Sequence, residues 1–237
     1  MSPLTLRISF GLILAALAAG CSAPVPAKEF GAVVFNDPAF AGTRLNAYAC
    51  STCHAEREGD TRLLPGYSMA GVTKRTAFWG GQVERLIDAA SFCYQQYMFG
   101  AGPLDTEDVR AKALYEYLVS LPGEEGAKDA LPFTIVHNVT VLTDGDAKRG
   151  QATYSAACRS CHGDIHSGSG QITSRANVLP EVTKEYARLF PAVDPALVVI
   201  EKVRHGNSFG LSGTMAPFSQ EALSDEALAD ILAYLGL

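Results

Sequence analysis

The chain is 237 residues long, 48% hydrophobic, and carries a formal charge of −6. An acidic surface of this kind excludes nucleic acid as a partner, because the phosphate backbone is bound through a surplus of Lys and Arg. The apolar content is enough for two small cores, and the six cysteines are the main source of chemical information.

The chain opens with Arg7, an apolar run from Ile8 to Ala19, and small residues leading to Cys21. A charged start, a short apolar stretch and a small-residue exit form an export signal, predicted over residues 1–20. The run is too short for a confident membrane span. The string "LAAGC" resembles a bacterial lipobox, although Leu17 lies four residues before the cysteine instead of three. The resemblance implies lipidation at Cys21 and a site on the periplasmic side of a bacterial membrane, held by an acyl anchor. Residues 21–36, beginning "CSAPVPAKEF", read as a Pro-rich tether.

Residues 37–122 are predicted to form a first domain. They contain "CSTCH", with Cys50, Cys53 and His54. The same pattern recurs as "CRSCH", with Cys158, Cys161 and His162, in a second domain predicted over 145–237. C-x-x-C-H attaches c-type haem. Two thiols at this spacing reach two vinyl groups on one edge of a porphyrin, and the next residue supplies the proximal imidazole. A four-thiol zinc site would leave both histidines unexplained. A redox dithiol would need a βαβ setting that neither motif has. Two haem c groups are therefore expected.

The motifs suggest a repeat. Gly42 stands eight residues before Cys50, and Gly150 eight before Cys158 with Tyr154 midway. Each half closes with an amphipathic helix, "DTEDVRAKALYEYLVSL" opening at Asp105 or Thr106 and "SDEALADILAYLGL" opening at Ser224. Tyr117 and Tyr234 hold matching places in them. Between the halves, residues 123–144 read as a linker whose stretch "FTIVHNVTV" suggests a strand or an extended strap.

These features resemble class I cytochrome c domains in tandem. The resemblance implies a mostly α fold, two cytochrome c-like domains each wrapped around covalent haem, and an axial ligand late in each domain. In the second domain "GTMAPF" places Met215 as that ligand, with His205 as its rival; His166 is expected in the loop beneath the haem and His137 at the surface. In the first domain two residues compete. Met98 precedes its helix much as Met215 does, whereas Cys93 is the thiol left over once the lipobox and haem cysteines are assigned.

The stretch from Glu84 to Leu118 also resembles the catalytic haem domain of thiosulfate dehydrogenases and, more distantly, the dihaem subunit of the Sox system. That resemblance implies Cys93 as thiolate ligand of the first iron and as the catalytic position if the protein is an enzyme. Gln96 and Tyr97 stand where those families carry a basic residue and a serine. Arg75, Lys74 and Arg85 could still receive a small anionic sulfur compound. The expected function is electron transfer between two haems and redox protein partners, with thiosulfate-type oxidation as the alternative. A dihaem peroxidase is disfavoured by the short chain.

Overall fold

The structure is a computed structural model that describes residues 26–123, 129–207, 209–210 and 213–237. The predicted leader and Cys21 lie outside the described residues. Among the described residues there is no β-strand, only an isolated bridge between Phe78 and Val83, and no helix is long and apolar enough to cross a membrane.

The helices in chain order are α1 (Ala27–Phe35), α2 (Cys50–Cys53), α3 (Leu86–Gln96), α4 (Val109–Ser120), α5 (Ala147–Ala157), α6 (Arg159–His162), α7 (Thr183–Leu189), α8 (Pro195–His205) and α9 (Asp225–Leu235). They form two units with separate cores. Val34, Phe35, Phe40, Val72, Leu114 and Leu118 fill the first, and Val198, Ile200, Leu228, Ile231 and Leu232 the second.

Each unit is built on one crossing of helices. In the second, α5 lies against α9, and a Cβ added to Gly150 would stand 1.9 Å from the carbonyl oxygen of Asp230. In the first, α1 lies against α4, and a Cβ on Gly31 would stand 1.9 Å from the carbonyl oxygen of Ala113. Only glycine permits backbones this close. One turn further along each helix, the rings of Phe35 and Tyr117 meet at 5.6 Å and those of Tyr154 and Tyr234 at 5.7 Å, tilted alike. The second crossing is also clamped by charge: Arg149 donates to both carboxylate oxygens of buried Asp230, from Nε and Nη2 at 2.8 Å each.

Three expectations change here. Residues 27–35 are not tether but the first helix of the first domain, because Val34 and Phe35 are needed to complete its core. The counterpart of Gly150 is Gly31, not Gly42, whose Cβ would meet nothing within 4 Å. Nineteen residues separate Gly31 from Cys50 and eight separate Gly150 from Cys158, so the first unit carries eleven more residues between helix and motif. The closing helix of the first unit starts later than Asp105 or Thr106: Asp108 caps α4, accepting from the backbone N–H of Arg110 and Ala111. Ser224 caps α9 as expected, accepting from Ala227.

The segment after residue 129 is an extended strap, not a strand, and it is packed rather than loose. Phe133 meets Trp79 edge-on at 5.3 Å, and Tyr67 donates its hydroxyl to the Pro132 carbonyl. The backbone N–H of Thr134 donates to Glu221 at 3.0 Å, and Val139 and Leu142 pack on the second core.

Candidate functional site

In the first unit a short helical turn brings Cys50 and Cys53 to one wall of an apolar cavity, with His54 at its C-terminal end. The cavity holds about 1370 Å³ of empty space, including its open mouth. α3 lines it too, presenting Ala89, Ala90 and Cys93 from one face, with Tyr97 just past its end, at i, i+1, i+4 and i+8. Met98, buried in the first core, lines it as well.

His54 is fixed by two contacts. Its Nδ1 lies 2.8 Å from the carbonyl oxygen of Tyr67. A carbonyl only accepts, so Nδ1 carries the proton and Nε2 keeps its lone pair for a metal. Gly66 lies against the ring, where any side chain would strike it. In the second unit His162 Nδ1 makes the same bond to the carbonyl of Asn177, also at 2.8 Å. Burial lowers the pKa of both imidazoles below the usual value, which keeps them neutral and able to ligate.

The thiols are free in the protein chain. Burial pushes Cys50 up to about 11 and Cys53, Cys93 and Cys158 up to about 12, and it raises Cys161 as well. None of these thiols is set up as a reactive thiolate on its own. Among the described residues no three His, Cys, Asp or Glu side chains converge on a possible metal site, so the four paired thiols do not gather for zinc. The first cavity does fit haem. It offers two thiols at C-x-x-C spacing, an imidazole with Nε2 available, and apolar walls for a macrocycle.

Arg75 is the cationic side chain of this cavity's lining. Its Nη2 donates to the carbonyls of Ser68 at 2.6 Å and Ala70 at 3.2 Å, which holds the guanidinium in place. Burial lowers its pKa from the ordinary arginine value. Arg85 is instead exposed, close to Asp88.

In the second unit Met215, like Cys158, Ile165 and Leu179, is a partly buried side chain packed against the core. The backbone around it is tightly held. Gly206 caps α8 in the left-handed region, and a Cβ there would stand 2.5 Å from the Met215 carbonyl oxygen. Arg204, 1% exposed, donates from Nη1 to the carbonyls of Phe218, Ser219 and Leu223 and from Nη2 to Asp225 at 2.6 Å. His205 faces the other way: Nδ1 lies 2.7 Å from Glu201 Oε2, and Nε2 meets the strap carbonyl of Val136. His166 is exposed and pairs with Glu181 at 2.8 Å, and His137 is exposed.

Residues 145–235 match the family described as cytochrome c oxidase, cbb3-type, subunit III. Over these residues the second unit is similar to a cytochrome c domain. Haem c is the cofactor of such a domain, and Cys158, Cys161 and His162 are the residues that would hold it here. The first unit repeats the cytochrome c-like arrangement of helix crossing, attachment motif and closing helix, so the fold is mostly helical with two cytochrome c-like domains. No curated protein matches the chain. Among solved structures, a thiosulfate dehydrogenase (TsdBA) from Marichromatium purpuratum in its as-isolated form is similar at 16% identity, with a TM-score of 0.42. The alignment covers 88% of this chain and 45% of that one, so the chain spans a little under half its length.

Sequence reasoning missed several residues that build these sites. Gly66 and Gly31 act by lacking a side chain, and neither belongs to a motif. Arg204 and Glu201 are the charged residues among the buried, otherwise apolar positions of α8, which was the available signal. Tyr48, two residues before Cys50, reaches the second unit, as described below.

Proposed function

We propose that the chain is an exported dihaem c-type cytochrome that passes electrons between two covalently attached haems and redox protein partners. The observation that carries this reading is the matched construction of two C-x-x-C-H sites. Each histidine has its Nδ1 pinned to a backbone carbonyl at 2.8 Å and its Nε2 available. Haem, when bound, supplies a one-electron iron couple.

The chain's own residues do the rest. Cys50 and Cys53, and Cys158 and Cys161, would fix the orientation of a bound haem through thioether bonds. The apolar walls exclude water, and Met215 offers the second site a neutral sulfur donor, which raises potential. The charge of Cys161 adds to burial in raising the pKa of Cys53, so the two attachment motifs come near one another. The acidic balance suits partners with a basic face. The leader supports placement on the periplasmic side, held to the membrane only through lipid at Cys21. Intact mass tests the reading: holo-protein should exceed its polypeptide by two haems, and a mass gain of one haem, or bound zinc, overturns it.

A second reading is oxidation of a small anionic sulfur compound at the first site. It is favoured by Cys93 and Arg75 lining the same cavity, one as a candidate soft iron ligand and the other as an anion-binding group. Addition of thiosulfate to oxidised holo-protein should then reduce haem, and an unchanged absorption spectrum would leave a plain electron carrier.

A further inference from the structure

The loop that carries Met215 belongs to both units. Ala216 and Pro217, which follow the methionine directly, line the cavity of the first unit. Thr214, which precedes it, places its Oγ1 3.4 Å from the phenol oxygen of Tyr48, a first-unit residue. The residues on either side of Met215 thus meet the neighbouring domain.

Tyr48 is itself held firmly. The Asn46 side chain donates to the carbonyls of Pro38 and Tyr48, both at 2.6 Å, and its Oδ1 accepts from the Tyr48 N–H at 2.9 Å. Next to it, Arg175 of the second unit donates to the Leu45 carbonyl. These contacts fall within the stretch by which the first unit exceeds the second.

We propose that Tyr48 is a positioning residue for Met215: through Thr214 it holds the ligand loop of the second site against the first unit. This rests on the reading of Met215 as an iron ligand. A hydrogen bond of this kind contributes modestly, since folding exchanges it for one to water. Its loss should not unfold the loop, which Arg204 and Gly206 hold from the other side. It should instead let the methionine leave iron more often. The rate at which an added ligand displaces methionine reads this directly.

The experiment uses ferric holo-protein mixed with cyanide, followed by loss of the near-infrared methionine–iron band. Tyr48→Phe keeps the ring and removes the hydroxyl, and Thr214→Val removes the partner. Each should speed displacement about two- to tenfold, the factor that matches one net hydrogen bond. The double variant should be no faster than either single one, because both remove the same bond. Tyr115→Phe, exposed and distant in role, serves as control. A Tyr48→Phe rate equal to wild type, or multiplied effects in the double variant, overturns the proposal while leaving Met215 as ligand. Absence of the band in wild type overturns the ligand reading, and the proposal with it.

Discussion

Gly66 lies flat against the imidazole of His54, so close that a Cβ at its α-carbon would stand 2.1 Å from Cε1 and 2.8 Å from Nε2. The only room for such a group is the room the ring occupies. Gly66→Ala should therefore tilt His54 away from its bond to Tyr67 and disturb the first site alone. The first haem should lose its low-spin signal in electron paramagnetic resonance while the second keeps its own. The overpacking should also cost the first unit about 1–3 kcal/mol of stability. Unchanged signals at both sites would mean that the Pro65–Tyr67 loop yields freely.

Cys93 and Met98 separate by what else they do. Met98 fills the first core and is 6% exposed, so Met98→Ala should cost about 2–5 kcal/mol through the cavity it leaves. Cys93 is less buried, and Cys93→Ala should cost less. On the reading that Cys93 is the first iron's sixth ligand, ferric protein should give a low-spin His/thiolate resonance that disappears in Cys93→Ala. Its thiol sits near 12 through burial, so the iron charge must displace the proton. Cys93→Met should raise the first potential by on the order of a hundred millivolts. Two His/Met-type signals in wild type would assign Cys93 to packing.

Met215→Ala should abolish the near-infrared methionine band and lower the potential of the second haem. His205 should not replace it, because both ring nitrogens already serve Glu201 and the strap. A bis-histidine spectrum in Met215→Ala would show that the strap lets go more easily than its contacts imply.

The grip on the strap should depend on pH. Burial disfavours the charged form of His205, but the Val136 carbonyl and the Glu201 carboxylate outweigh it, and the pKa is raised above 6.5. A raised histidine pKa contributes stability that is full below the unfolded value and lost as pH climbs through the folded one. Amide exchange around Val136 should thus quicken as pH rises above neutrality, beyond the intrinsic increase. His205→Gln should flatten that extra dependence. A wild-type profile matching the variant's would remove His205 from the clamp.

Gly31→Ala and Gly150→Ala should behave alike, since each would drive a methyl to within 1.9 Å of a carbonyl on the closing helix. Each should destabilise its own unit by about 1–3 kcal/mol and lower amide protection in α1 and α4, or in α5 and α9, respectively. Loss confined to one of the two crossings would break the correspondence between the units.

The two attachment motifs were legible because their chemistry is local: five residues specify thiols, spacing and imidazole. The closing helices were legible from periodicity, and α9 from its cap at Ser224. The Gly42 alignment failed because counting back from Cys50 assumes equal spacing, and the first unit carries extra residues there. Gly31 could be found only through what it touches, Ala113 and Tyr117, far along the chain. The tether reading failed for a related reason: α1 is short and follows a Pro-rich run, and its helix is stabilised by α4 rather than by its own sequence. The contact between Tyr48 and Thr214 spans 166 positions and leaves no trace in composition or spacing.

The longer segment before Cys50 separates two tasks. It carries Leu45 and Tyr48, which meet the second unit, yet it lies outside both the helix crossing and the C-x-x-C-H turn. The fit between the two halves can therefore be varied, one substitution at a time, without disturbing the parts that would fasten a cofactor.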